Sequence, residues 1–179
     1  RNAPLDFYIS FDNVQVGELQ AKYISTVCRQ GNYAILGGDV SDNNAFLIRQ
    51  GQLNIIQPLV ERGDIKIVFD QYVDSWTADE GYRLYKECLS QDVHIDAVLA
   101  ANDQIAEGAL RAMKEANIDT LPFISGQDAD EEACRRIISG MQTMTVYKPI
   151  EAIATKAAEI AIQTVREQHI PYSDLSVNN

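Results

Sequence analysis

Six short apolar runs, each followed within a few positions by a polar or aromatic residue, set the limits on what this chain can fold into. They are Phe7-Tyr8-Ile9, Tyr33-Ala34-Ile35-Leu36, Ile65-Lys66-Ile67-Val68-Phe69, Ala97-Val98-Leu99-Ala100, Pro122-Phe123-Ile124 and Met144-Thr145-Val146-Tyr147. Segments of helical period lie between them, so strand and helix alternate, the pattern of a parallel sheet with both faces covered. Crossovers between parallel strands are right-handed almost without exception, and at this strand count they predict an open, doubly wound α/β sheet and not a barrel. Ligands of such sheets sit outside the carboxyl ends of the strands, where the connecting loops converge. The residues that this reading places there are Asp12, the stretch Asp42-Asn43-Asn44, Trp76, Asn102, Asp128 and Lys148.

The helices between the runs can be drawn from their apolar sides. The first is predicted over 14–28, with Val16, Leu19, Ala21, Tyr23, Ile24 and Val27 on one side and Gly31 as its stop. The second is predicted over 45–62 on Leu47, Ile48, Leu53, Ile55, Ile56 and Leu59, with Gly63 just past its end and Pro58 kinking or tightening its last turns. Tyr82, Tyr85, Cys88 and Leu89 gather on the core face of a third. A fourth opens at Asn102-Asp103, whose short polar side chains suit a helix cap, and a fifth has Asp128 or Asp130 near its cap. That fifth helix offers Glu131 to Arg135 and Glu132 to Arg136 at the i,i+4 spacing. The last, over 150–165, carries so wide an apolar stripe that it needs a partner on more than one side. Behind it His169-Ile170-Pro171-Tyr172 breaks the helix, and 173–179 reads as an exposed linker.

With 179 residues and 46% hydrophobic content, one globular domain can bury a sizeable core. No stretch reaches the roughly 18 apolar residues of a membrane span. The segment Arg1-Asn2-Ala3-Pro4-Leu5 lacks the basic and apolar regions of a signal peptide, which a mature or partial chain would lack in any case. A formal charge of −11 argues against nucleic acid as partner, because phosphate binding rests on clustered Lys and Arg, and the basic residues here are scattered. Cys28, Cys88 and Cys134 show no metal-ligand spacing and are read as buried free thiols. Neither His94 nor His169 has the neighbours that would propose zinc, so both are read as structural.

Several chemistries are excluded by what is missing around the remaining residues. Gly37-Gly38 follows a strand without either phosphate-cradling fingerprint and reads as a tight strand exit. Ser10, Ser125 and Ser139 lack the surround of a nucleophile elbow. Asp128 with Lys148 could suggest a phosphoacceptor pair, but only Asp12 stands where the magnesium-holding acidic pair is needed. A neutral polyol fits better. Carboxylates accept two hydroxyl hydrogens, carboxamides donate and accept, lysine donates three ways, and a tryptophan gives a flat apolar surface for the C–H face of a sugar ring.

These residues also carry a family likeness. Phe7-Tyr8-Ile9-Ser10-Phe11-Asp12-Asn13 with Val16-Gly17-Glu18-Leu19-Gln20 resembles the opening of the second lobe in sugar-binding proteins of the ribose, galactose and xylose class. Ile124-Ser125-Gly126-Gln127-Asp128-Ala129-Asp130, followed by Gln142-Thr143-Met144-Thr145-Val146-Tyr147-Lys148-Pro149, resembles the xylose-binding branch that serves bacterial ABC importers. Asp42-Asn43-Asn44-Ala45 and Ala101-Asn102-Asp103 extend the likeness over nearly the whole chain.

The resemblance implies a type I periplasmic binding fold, in which two Rossmann-like lobes joined by three hinge strands close on the sugar. Residues 5–147 would form the second lobe and 148–168 the hinge and the helix returning to a first lobe absent from this sequence. Residues 169–179 would lead toward the third hinge strand. On the same mapping Asn44, Trp76, Asn102, Asp128 and Lys148 match sugar contacts, with Asp42 and Arg49 as secondary candidates. The implied function is non-enzymatic recognition of D-xylose or a close aldopentose, without cofactor or metal. The implied place is outside the cytoplasm, in a periplasm or as a cell-surface lipoprotein of a Gram-positive bacterium. The partner would be an ABC permease, or a membrane histidine kinase if the protein is a sensor. An effector domain of a cytoplasmic sugar-responsive repressor would require a basic DNA-binding headpiece as well.

Overall fold

The computed structural model describes residues 7–166. Its elements run α1 (Asn13–Val27), β1 (Gly31–Asp39), α2 (Asn43–Glu61), β2 (Ile65–Val73), α3 (Ala78–Leu89), β3 (Ala97–Ala100), α4 (Asp103–Glu115), β4 (Phe123–Ile124), α5 (Glu131–Ile138) and α6 (Ile150–Val165). The chain divides into two compact units: Asn13–Tyr147, and a second formed by the flanking segments, described at 7–12 and 148–166.

Within the first unit the four strands form one parallel sheet in the order β2-β1-β3-β4. The chain moves outward from β1 to β2, then crosses back to β3, so the sheet has a switch point between β1 and β3. Alternation along the central strands divides the core. Tyr33 and Ile35 of β1, with Ala97 and Leu99 of β3, face a cluster that includes Ala21 and Ile24 of α1 and Ile56 of α2. Ala34 and Leu36, with Val98 and Ala100, face the other cluster with Leu84 and Tyr85 of α3 and Ile105, Ala109 and Met113 of α4. A period of two in each strand thus sorts helices onto both faces of a doubly wound α/β sheet, as the sequence predicts.

Each helix pair is held together at a glycine crossing. A Cβ added at Gly17 of α1 would lie 1.9 Å from the Ile48 carbonyl oxygen, and one at Gly51 of α2 would lie 1.9 Å from that of Val14. On the other face a Cβ at Gly81 of α3 would lie 2.5 Å from the Ile105 oxygen, and one at Gly108 of α4 2.0 Å from that of Ala78. Glycine inside a helix weakens it by about 1 kcal/mol relative to alanine, so its use at all four positions is explained by backbone approach.

Several sequence expectations need correction. The six runs give a sheet of only four strands. Phe7-Tyr8-Ile9 forms no strand among the described residues, and the fifth run contributes only Phe123 and Ile124. The sixth contributes an isolated bridge, Val146 to Gln127, beyond β4. A strand exists only where a neighbouring ladder accepts it, which a run of apolar residues does not report. Gly37 and Gly38 are not a strand exit; they lie within β1, where added Cβ atoms would strike the Tyr72 ring at 2.7 Å and the Trp76 ring at 2.0 Å.

Cys28 and Cys88 are buried free thiols, and burial raises the Cys88 thiol to about 11. Cys134 is exposed, because Ala133 alone is buried in α5. Asp130 occupies the α5 cap position without a side-chain capping bond. The Glu131–Arg135 pair forms at 2.5 Å, whereas Glu132 meets Arg135 at 3.5 Å and Arg136 turns away to Gln142 at 3.0 Å. Pro58 lies inside α2, which continues to Glu61. His94 is an exposed residue 3.2 Å from Asp96, and His169 lies outside the described residues together with the 169–179 linker. In the second unit, α6 buries Ile160 while Ile150, Ile162 and Val165 are exposed at 67%, 51% and 85%, so its apolar stripe is largely uncovered among the described residues. No described helix is long and apolar enough to cross a membrane.

Candidate functional site

The carboxyl ends of the parallel strands set out the site. After β1, Asp39 accepts hydrogen bonds from the Ser41 amide and hydroxyl, both at 2.7 Å, and turns the chain toward α2. Asp42 then caps α2, its Oδ1 accepting from the Asn44 amide at 3.0 Å. The other oxygen of Asp42 accepts from the Trp76 indole N–H at 3.3 Å, which joins the loop after β1 to the loop after β2. The indole ring lies against Gly38, partly buried on the α3–α4 side of the core. Any side chain at Gly38 would displace it.

Asn44 Oδ1 accepts from Asn13 Nδ2 at 2.9 Å, which ties the start of α2 to the start of α1. After β3, Asn102 is buried and caps α4, its Oδ1 accepting from the Ile105 amide at 2.9 Å. In both asparagines the carbonyl oxygen is engaged, and neither Nδ2 makes a hydrogen bond within the described residues. Each therefore keeps an amide donor that could serve a ligand acceptor.

Asp128 follows β4 in an unusual backbone state, with φ at 100°, and Ala129 after it has φ at 55°. Side chains rarely adopt such angles, and each costs about 1–3 kcal/mol unless the surroundings over-determine it. Here they do. Three successive amides are held: Asp128 N–H by the Val146 carbonyl at 3.0 Å, Ala129 N–H by Thr145 Oγ1 at 3.2 Å and Asp130 N–H by Asp103 Oδ2 at 3.0 Å.

Asn44, Trp76, Asn102 and Asp128 thus follow the carboxyl ends of β1, β2, β3 and β4 in turn. The Asp42 link makes Asp42 and Trp76 one cluster. Arg49 stands more than a turn further along α2. Its Nε donates to Asp70 Oδ1 at 2.9 Å, its guanidinium lies 5.9 Å from the centre of the Tyr72 ring, and the hydrogen bonds to Asp70 raise its pKa further. The structure therefore gives Arg49 an ion-pair partner apart from the other candidates. Lys148 and Asp12 belong to the second unit, where the Lys148 ammonium lies 5.7 Å from the centre of the Phe11 ring.

Three residues that support the site are absent from the sequence prediction as site residues. Gln20, fully buried, donates to the carbonyls of Ala100 at 3.2 Å and Gly126 at 3.0 Å, and its Oε1 accepts from Gln52 at 2.8 Å. It braces the end of β3 against the loop after β4. Asn13 orients Asn44. Asp103, read from sequence only as a cap, is completely buried and accepts bonds from three donors; burial raises its pKa against their opposing pull. The usable signal was polarity on a buried side: Gln20 and Gln52 lie on helix faces that otherwise carry core residues. No cluster of metal-ligating side chains occurs among the described residues.

Comparison with known proteins places this geometry among relatives. A family described as periplasmic binding protein domain matches residues 1–169. The chain is 48% identical to the D-xylose-binding periplasmic protein of Haemophilus influenzae, over 99% of its own length and 54% of the relative's. It is 46% identical to the D-xylose-binding periplasmic protein of Escherichia coli, with the same coverage. Among solved structures, a periplasmic solute-binding protein of an ABC transporter from Actinobacillus succinogenes, with bound D-allose, superposes with a TM-score of 0.80 at 29% identity, covering 92% of this chain and 57% of that one. The chain spans about half the length of the curated relatives it matches.

Proposed function

Since the chain belongs to the periplasmic binding protein family, we propose that it is the second lobe of an extracytoplasmic protein that binds D-xylose or a close aldopentose. One observation carries this reading. The four parallel strands are followed in turn by an amide donor, an aromatic ring, a second amide donor and a carboxylate, a set that matches vicinal hydroxyls and the C–H face of a pyranose. The similarity to xylose-binding relatives supports the choice of sugar.

In this reading residues 5–147 form the lobe, 148–168 return toward a first lobe, and 169–179 lead to the last hinge strand. The family resemblance assigns a sugar contact to Lys148 of the returning segment as well, and the uncovered stripe of α6 is the surface that the first lobe would take. Sugar contacts available only when two lobes meet would favour the closed form, which a permease would then read. The site holds the sugar without altering it. The relatives' periplasmic names support an extracytoplasmic place, as a periplasmic protein or a surface lipoprotein.

Calorimetric titration of the full two-lobed protein with D-xylose, alongside ribose, arabinose and glucose, tests the reading. Tight and selective xylose binding, with the sugar recovered unchanged, is the expected result. Binding of none of the four would overturn it.

The close approach of Trp76 to Gly38 adds a sharper expectation. Gly38→Ala keeps the tryptophan but forces its ring to swing, since the new Cβ would stand 2.0 Å from Cη2. It should lower sugar affinity about tenfold, as Trp76→Ala also should, because either change removes the stacking surface. A red-shifted indole emission in the Gly38 variant would report the displaced ring, and unchanged affinity in both variants would make Trp76 a packing residue only.

A further inference from the structure

We infer that Asp103 is the positioning residue of this site: its buried carboxylate fixes the backbone of 128–130 and thereby the aim of the Asp128 side chain. The inference rests on the sugar-binding reading for its consequence, but its geometry stands apart from it.

Asp103 is the first residue of α4, where the helix dipole favours an anion. Its Oδ2 accepts from the Asp130 amide at 3.0 Å and from the Thr145 hydroxyl at 3.0 Å. Because the Thr145 proton is directed to Asp103, a lone pair of the same oxygen is free to accept the Ala129 amide at 3.2 Å. One carboxylate thus holds Asp130 directly and Ala129 through a relay. Its Oδ1 accepts from Gln142 Nε2 at 2.9 Å, and Gln142 is itself fixed by Arg136, whose Nε donates to Oε1 at 3.0 Å.

The arrangement demands an acceptor with no hydrogen of its own. Every neighbour aimed at the Asp103 carboxylate is a donor: an amide, a hydroxyl and a carboxamide NH2. Asparagine at 103 would point its own NH2 at one of them. Gln142 cannot turn over to receive it without losing the Arg136 bond and its 3.1 Å bond to the Met144 carbonyl. Gly126 completes the fit, because a Cβ there would lie 2.0 Å from Asp103 Oδ1. Together with the Asp128 to Val146 bond, these bonds hold the amides of the left-handed backbone at Asp128 and Ala129.

The test uses the full two-lobed protein with amide hydrogen exchange and sugar titration in parallel. D103N should speed exchange at Ala129 and Asp130, leave the Ile105 amide at the α4 cap protected, and weaken xylose binding by about tenfold or more. Adding Q142E supplies the acceptor that the new NH2 needs and keeps the Arg136 bond but gives up the bond to the Met144 carbonyl, so it should restore part, not all, of both losses. A residue that merely stabilised the fold would not give that rescue. T145V breaks only the relay, so it should expose Ala129 and leave Asp130 protected, and it serves if D103N does not fold. Unchanged protection of both amides in D103N, or of Ala129 in T145V, would overturn the inference. A wild-type protein that binds no sugar would overturn the functional reading instead, and the exchange data alone would then decide what Asp103 does.

Discussion

Asp128→Gly is expected to weaken xylose binding about ten- to a hundred-and-fifty-fold while leaving the ligand-free protein as stable as before, or more so. The two halves have separate causes. A carboxylate accepting sugar hydroxyls makes charge-assisted hydrogen bonds worth roughly 1.5–3 kcal/mol, which sets the affinity loss. The backbone at Asp128 has φ at 100°, a region costing a side-chain-bearing residue about 1–3 kcal/mol. Glycine removes that strain at about 0.5–1 kcal/mol of chain entropy, so the backbone balance is level or favourable. The hydrogen bond from the backbone N–H of residue 128 to the Val146 carbonyl is retained. Asp128→Ala should lose the same affinity without any gain in stability, because alanine inherits the strained angle. Calorimetry and ligand-free melting of the three proteins check both halves. Retained affinity would remove Asp128 from the site, and a clear loss of stability in the glycine variant would make it a structural residue.

That separation of strain from function also explains what the sequence could and could not tell. Helix limits were legible because an amphipathic period is a local property: the readings over 14–28, 45–62 and 150–165 meet α1, α2 and α6 within a residue or two. The central strands were legible because both their faces are buried. The outer runs were not, since Phe123-Ile124 and Val146 pair only as far as a neighbouring backbone reaches them. Trp76, Asn102 and Asp128 could be placed at strand ends because each comes a short way after an apolar run. The residues that hold them could not. Asp103 looks like the second half of a cap in Asn102-Asp103, and nothing local reports its bonds to Asp130, Gln142 and Thr145. Gln20 and Gln52 gave a faint signal, as polar residues on core faces, but their meaning depends on two helices meeting.

That meeting yields the largest expected loss of stability. Gly51→Val should destabilise the protein by about 3 kcal/mol or more, lowering the melting temperature by about 6–12 °C. The new Cβ would stand 1.9 Å from the Val14 carbonyl oxygen and 2.9 Å from the Glu18 amide nitrogen, so α1 itself must retreat. The gain in helix propensity, about 1 kcal/mol at most, is too small to offset that. Retreat also reaches the site, because the same contact sets the distance between Asn13 and Asn44 and between Gln20 and Gln52. Variants mild enough to fold, such as Gly51→Ala, should therefore lose sugar affinity along with stability, although residue 51 touches no candidate site residue in any bond described. Gly17 makes the reciprocal contact, 1.9 Å from the Ile48 oxygen. Once one alanine has parted the helices, the second meets less resistance, so Gly17→Ala with Gly51→Ala should cost clearly less than the sum of the two single changes. Thermal melts of the two single variants and the double variant measure this directly; strict additivity would mean that the two glycines answer separate local clashes and that α1 and α2 do not move apart as rigid bodies.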